Sequence, residues 1–225
     1  MCGRFQLSVK GKQISERFNV EVFDELYRPN YNCAPSQKLP VITNEHPNNL
    51  SYFEWGLIPF WAKDPKVGFR NINARSETIS EKPSFKNAFI KRRCLIPANG
   101  FYEWKKDSNK TPYRIFVKED KLFAIAGIWE VWKDTENRII NSFSIITTSA
   151  NSRVADIHNR MPVILNAEDE HAWLNENDDV ILNKLLVPYN PEKMEAYTIS
   201  KQVNSPNNNT SEIIIPSTGG QQTLF

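Results

Sequence analysis

The chain has 225 residues, with 28 Lys+Arg against 26 Asp+Glu, a formal charge of +2, 40% apolar and 12% aromatic residues. That content supports a buried core in one large domain or two small ones and excludes wholesale disorder. No apolar run approaches the ~18 residues of a membrane helix. No hydrophobic stretch follows the first lysine, so no signal peptide is expected, and three cysteines make no disulfide framework. These features point to a reduced, cytoplasmic protein.

Alternating or β-rich runs predict strands at Arg4–Leu7, Leu39–Thr43, Ser51–Trp55, Tyr113–Val117, Leu122–Trp132 and Ile139–Thr147. Helical signals are shorter. Ile14 and Phe18 sit four apart; Ser84 is placed to cap a helix through Phe85, Ala88 and Phe89. Ala167–Asn175 opens with three acids suited to a helix N-terminus, and Asp178–Leu186 reads as another helix. Strands and helices do not alternate regularly. The expectation is α+β: one compact domain with a curved, barrel-like mixed or antiparallel β core and peripheral helices. Residues 1–203 would form that domain, and 204–225, polar and then ending on Leu224 and Phe225, a flexible tail.

Charge is unevenly spread. Residues 1–160 carry 25 Lys+Arg and 17 Asp+Glu, net +8, whereas 161–225 carry 3 and 9, net −6. The positive excess suits a polyanion; a solvated surface with an acidic flank is the plainer reading.

Cys2 is the first residue with unusual chemistry. Methionine aminopeptidase generally removes Met1 before a small residue, which would leave an amine and a thiol on adjacent carbons. The amine titrates near ~7.7–8.0 and the thiol near ~8.5. An aldehyde meeting that pair forms an imine, and the thiol closes a five-membered thiazolidine. A buried residue at an ordinary chain start is the competing reading. Cys33 and Cys94, flanked by apolar residues and proline, read as core. No Cys/His spacing suits zinc, and neither metal nor organic cofactor is indicated.

Among the histidines, His46 and His171 read as solvated. His158, beside Arg160, is a candidate proton carrier or anion contact, with a structural role as the alternative. Glu103 lies between aromatics in Gly100-Phe101-Tyr102-Glu103-Trp104. It is either an outward-facing strand residue or a desolvated carboxyl with a raised pKa. Trp55–Ala62 gathers large apolar groups around Gly56 and Pro59. Such a loop packs in a core, the reading favoured for Trp55, or stacks on unpaired bases. Asn71–Thr78 is dense in ligand-orienting groups; its plainer reading is a capped turn.

Seven segments together resemble the SOS-response-associated peptidase (SRAP) family, whose members shield abasic sites in single-stranded DNA. They are Met1-Cys2-Gly3-Arg4, Asn32-Cys33-Ala34-Pro35, Trp55-Gly56-Leu57-Ile58-Pro59, Asn73-Ala74-Arg75-Ser76-Glu77-Thr78, Arg92-Arg93-Cys94-Leu95-Ile96-Pro97, Gly100–Trp104 and His158-Asn159-Arg160-Met161-Pro162. The resemblance implies that Cys2 crosslinks, Asn73 holds the terminal residue and the opened sugar, and Glu103 and His158 move protons. It implies that Arg4, Arg75 and Arg160 grip phosphates, with Thr147 and Thr148 nearby, and that Phe60 and Trp61 stack on or wedge bases. Many members carry two tryptophans where this chain has Phe60-Trp61, so an indole N–H is missing there.

The implied activity is covalent capture of abasic sites through a thiazolidine, with strand-cleaving lyase chemistry when an imine fails to cyclise. The partner is single-stranded DNA containing abasic sites, which would place the protein on the nucleoid within the cytoplasm. Gln221, Leu224 and Phe225 resemble a peptide that docks on a bacterial sliding clamp. Two alternatives stand beside this. One is a cysteine peptidase using Cys2, His158 and Glu103, whose substrate is its own N-terminus; the other is a non-covalent single-strand binder.

Overall fold

A computed structural model describes residues 2–23, 25–119 and 122–217. Its strands are β1 (Phe5–Leu7), β2 (Asn30–Cys33), β3 (Lys38–Thr43), β4 (Ser51–Trp55), β5 (Asn73–Arg75), β6 (Arg93–Ala98) and β7 (Gly100–Trp104). They continue with β8 (Pro112–Val117), β9 (Phe123–Lys133), β10 (Ile139–Ser149), β11 (Arg160–Pro162), β12 (Ile164–Leu165) and β13 (Met194–Thr198). The α-helices are short: α1 (Gly11–Phe18), α2 (Lys86–Lys91), α3 (Ser152–Ala155), α4 (Glu170–Asn175) and α5 (Asp179–Lys184).

Five strands close on themselves in the order β10–β4–β3–β6–β9 and back to β10. Every pairing in that ring is antiparallel except β10 with β4. Closure removes exposed strand edges, and the fold is the α+β, barrel-like one expected. A second sheet, β13–β8–β7–β1–β2, joins the barrel where the chain leaves β6 and enters β7. Phe5, Trp55 and Phe143 tie the two together: Phe5 lies 5.3 Å from Trp55, which stacks on Phe143 at 6.2 Å. Trp55, Cys33 and Cys94 are all buried, as read from their apolar surroundings.

Two expected helices differ in detail. Ser84 does not cap α2; Phe85 holds the N-cap with no side-chain hydrogen bond. The run Ala167–Asn175 divides into a 3-10 turn, Ala167–Asp169, followed by α4.

The described residues beyond Asn204, where a flexible tail was expected to start, pack against the second sheet as far as Ser217. Ile213 is buried with Tyr102, Ile199 and Val203. Asn32 explains much of this attachment. Its buried side-chain amide donates to the carbonyls of Val203, Ser205 and Asn208 at 3.3, 2.9 and 2.8 Å. Backbone N–H of Ser217 donates to Thr198 O at 2.9 Å.

One glycine sets the path from barrel to site. Gly56 has φ 137°, a left-handed value that other residues avoid, and a Cβ there would lie 2.8 Å from Gly68 O. The loop after β4 therefore folds back on the barrel. Leu57 N–H donates to Asn71 O at 3.2 Å, and Asn71 Nδ2 donates to Leu57 O at 3.0 Å. Trp55 Nε1 donates to Ile72 O at 2.9 Å. These bonds fix the approach to β5, and hence Asn73.

Candidate active site

Register decides which residues meet. β1 lies antiparallel to β7 with Phe5 opposite Phe101, and Tyr102 N–H donates to Arg4 O at 3.0 Å. Continued toward the N-terminus, that pairing runs Cys2 and Gly3 alongside Glu103 and Trp104. On the barrel side, β5 lies parallel to β10, with Thr147 opposite Arg75. β11 lies antiparallel to β10, with Ser149 opposite Arg160. The C-terminal half of β10 thus gathers Asn73, Arg75, Thr147 and Arg160 from segments far apart in sequence.

Cys2 is buried. Its carbonyl accepts a hydrogen bond from Asn73 Nδ2 at 2.9 Å, and its Sγ lies 3.9 Å from Arg4 O. Burial, then the nearby Glu103 charge, pushes the thiol pKa up, so the sulfur carries its proton at neutral pH. Asn73 is itself buried, and its Oδ1 has no hydrogen-bond partner among the described residues. A carbonyl oxygen with an unused acceptor site beside Cys2 is suited to an incoming N–H or O–H.

Glu103 is 3% exposed, on β7, so the desolvated reading holds and the outward-facing one does not. Burial raises its pKa to about 7. His158 Nδ1 lies 4.0 Å from Glu103 Oε1. The same ring nitrogen lies 3.0 Å from the backbone N–H of Arg160 and 3.2 Å from its carbonyl, contacts that fix the ring. Burial lowers the His158 pKa, which keeps the imidazole neutral at pH 7. A carboxyl poised near neutrality beside a neutral imidazole can pass protons in either direction.

Five cationic or hydroxyl groups expected to meet phosphate are placed differently from one another. Arg75 is exposed and makes no side-chain hydrogen bond among the described residues. Arg160 donates from Nη1 and Nη2 to both carboxylate oxygens of Glu77. Arg4 Nη1 donates to Asn32 Oδ1 and to Val203 O, both at 2.8 Å, and so ties the N-terminal segment to the C-terminal one. Thr147 and Thr148 are buried within β10. Phe60 and Trp61 are 55% and 52% exposed. Their turn is pinned by Ala62 N–H donating to Pro59 O at 2.9 Å and by Trp132 Nε1 donating to Ala62 O at 2.7 Å. Gln221, Leu224 and Phe225 lie outside the described residues.

Two residues that stand in the quoted motifs were given no individual role from sequence. Glu77 grips Arg160 from 83 positions away, and Asn32 organises the C-terminal segment through three carbonyls. Neither spacing carries a local signal, because both contacts are made only by the sheet register. Among the described residues, no group of three or more His, Cys, Asp or Glu side chains could hold a metal ion. No helix among them is long and apolar enough to cross a membrane.

Comparison with known proteins relates the chain as a whole to named relatives. A family model described as SOS response associated peptidase (SRAP) matches residues 1–206. Abasic site processing protein YoqW of Bacillus subtilis (strain 168) is 49% identical over 221 residues, covering 95% of this chain and 99% of its own. Abasic site processing protein HMCES of Rattus norvegicus is 31% identical over 231 residues, covering 84% of this chain and 65% of its own. A crystal structure of a protein from Bacteroides thetaiotaomicron superposes with a TM-score of 0.89 at 33% identity, covering 96% of this chain and all of that one.

Proposed function

The chain belongs to the SOS response associated peptidase family, and from that membership we propose that it processes abasic sites in single-stranded DNA. The finer reading is covalent: once Met1 is removed, Cys2 captures the open aldehyde of the abasic sugar. The observation that carries it is the Asn73–Cys2 hydrogen bond, which fixes the backbone of Cys2 within the field of Glu103.

The steps balance without a cofactor. Protonated Glu103 assists opening of the sugar hemiacetal. The Cys2 amine adds to the aldehyde carbon, and loss of water gives an imine. The thiol then adds across the C=N bond, sulfur to carbon and proton to nitrogen, closing the thiazolidine. A buried thiol is a poor thiolate, so the S–H proton needs a nearby base, a task that suits neutral His158 or ionised Glu103. Capture as a thiazolidine removes the imine from which β-elimination would cleave the strand. An imine that does not cyclise accounts for a lyase side activity. Single strands suit the reaction because no partner base has to be displaced.

Removal of Met1 by the protein itself, with Cys2 as nucleophile, is compatible with this reading and is supported by the family's description as peptidases. Docking on a sliding clamp through Gln221, Leu224 and Phe225 would bring the protein to replication forks. Deleting the last five residues should abolish clamp binding, and unchanged binding would reject that part.

The deciding experiment incubates the mature protein with a single-stranded oligonucleotide bearing one abasic site, then denatures it. A shifted band that survives without borohydride, and disappears in Cys2→Ser and Cys2→Ala, is expected. Salt-sensitive binding with no such band would leave a non-covalent single-strand binder instead.

A further inference from the structure

The ion pair between Arg160 and Glu77 has an asymmetry that the crosslinking chemistry does not use. Arg160 Nη1 donates to Glu77 Oε1 at 2.5 Å and Nη2 donates to Oε2 at 3.0 Å. Nη2 also donates to Thr147 O at 2.6 Å. The arginine side chain is 11% exposed and the glutamate 51%. Arg160 is therefore anchored from behind by β10, whereas Glu77 covers it from the solvent side, on the short 3-10 turn Ser76–Thr78. Two parallel N–H···O bonds are also the geometry in which a guanidinium takes a phosphate. The carboxylate occupies the fork that a DNA phosphate would need. Arg75, exposed and one residue before that turn, adds a second positive charge to the same surface.

We propose that Glu77 is a displaceable phosphate mimic: it covers Arg160 in the DNA-free protein and swings outward when a backbone phosphate takes its place. This rests on the reading of Arg160 as a phosphate contact. Thr147 O continues to hold the guanidinium after the exchange, so the arginine need not move. Hydrogen bonding to Arg160 holds the Glu77 carboxyl below the usual carboxylate range, so the cover stays charged at neutral pH. Its displacement responds to anion concentration rather than to protons. The consequence is selectivity: an isolated anion competes poorly with a tethered carboxylate, while a strand held by several other contacts displaces it easily.

The test is equilibrium binding of the mature full-length chain to an unmodified single-stranded oligonucleotide, by fluorescence anisotropy across a salt series. The variants are Glu77→Gln, Glu77→Ala, Arg160→Gln and the double Glu77→Gln/Arg160→Gln, with Glu81→Gln, another exposed glutamate, reporting the generic effect of losing one negative charge. Thermal melts establish that each is folded. Both Glu77 variants should bind about three- to fivefold more tightly, the scale of an exposed ion pair. Their salt slope should steepen by ~0.7, one additional phosphate neutralised on a single strand. Arg160→Gln should weaken binding, and in its background Glu77→Gln should give no more than the Glu81→Gln effect.

Weaker binding by both Glu77 variants would make the carboxylate a permanent buttress for Arg160 and overturn the proposal. So would tightening no greater than that of Glu81→Gln. Unchanged binding by Arg160→Gln would instead overturn the phosphate reading of Arg160 itself, a distinct failure.

Discussion

Asn73 and Cys2, 71 positions apart, are joined by a 2.9 Å hydrogen bond from the asparagine amide to the cysteine carbonyl. The bond runs from a strand paired to the barrel to a segment that continues the second sheet, so Cys2 is held between the two halves of the fold. Asn73→Ala removes the donor. Crosslinking should slow by about 10- to 100-fold, the scale on which lost orientation acts, while stability falls by only about 1 kcal/mol. Asn73→Asp keeps the shape but presents an acceptor to a carbonyl and should be at least as slow. Single-turnover time courses on denaturing gels measure this, and rates within twofold of the wild type would dissociate Asn73 from positioning Cys2.

The carboxyl of Glu103 gives the reaction a pH signature. Its pKa rises from an ordinary ~4.3 to about 7, because burial penalises the ionised form. The crosslinking rate should fall above pH 7 as Glu103 loses its proton, and fall at lower pH as the terminal amine, near ~7.7–8.0, gains one. Glu103→Gln should remove the alkaline limb, leave a rate that only rises with pH, and lower the maximum about 100-fold.

Stability follows from the same shift. A folded-state pKa above the unfolded one means the stabilising contribution is whole below ~4.3 and is lost as pH rises through about 7. Glu103→Gln should therefore match the wild type at pH 4 and exceed it by about 1–3 kcal/mol at pH 8. Urea melts at the two values check the sign, and a destabilised variant at pH 8 would mean that the ionised carboxylate is well compensated.

Local patterning made some elements plain and left others hidden. The alternation of Ser51–Trp55 marks β4 to the residue, and the breaker-free run into Thr147 marks most of β10. β6 and β7 escaped that reading because both are buried almost throughout, so no polar face alternates along them. β6 also contains Pro97 and Arg93, residues that argue against a central strand. The site residues were legible as chemistry-bearing types in a recognisable series of motifs. Their grouping was not, since it depends on β10 pairing with β5 on one side and β11 at its end. Glu103 illustrates the difference: its neighbours left buried and exposed readings open, and the pairing of β7 with both β1 and β8 settles it as buried.

Phe60 and Trp61 expose large apolar surfaces on a turn whose backbone is held by the indole of Trp132, so the turn is fixed while the rings stay outside the core. Replacing either with alanine should weaken binding to single-stranded DNA by about 1–3 kcal/mol, the worth of one stacked base, and leave thermal stability nearly unchanged. Phe60→Trp should bind at least as well, since stacking needs a ring face and the added N–H is available to a polar contact. A melting temperature that drops as far as affinity does would assign the two rings to packing instead.

Arg93 separates stability from the chemistry. It is 1% exposed, yet its guanidinium donates to five backbone carbonyls. Phe89 and Ile90 belong to α2, Trp173 and Leu174 to α4, and Glu176 follows α4. The orphan carbonyls at the C-terminal ends of two helices are thus satisfied by one side chain on a barrel strand. Arg93→Met fits the volume but leaves those carbonyls buried without donors, and should cost about 3–5 kcal/mol. Arg93→Lys keeps the charge but offers a single ammonium where a planar fork spans both helix ends, so it should recover less than half of the loss. Urea denaturation gives both values. Full rescue by lysine would show that charge near the helix ends, rather than the five directed hydrogen bonds, is what the barrel strand supplies.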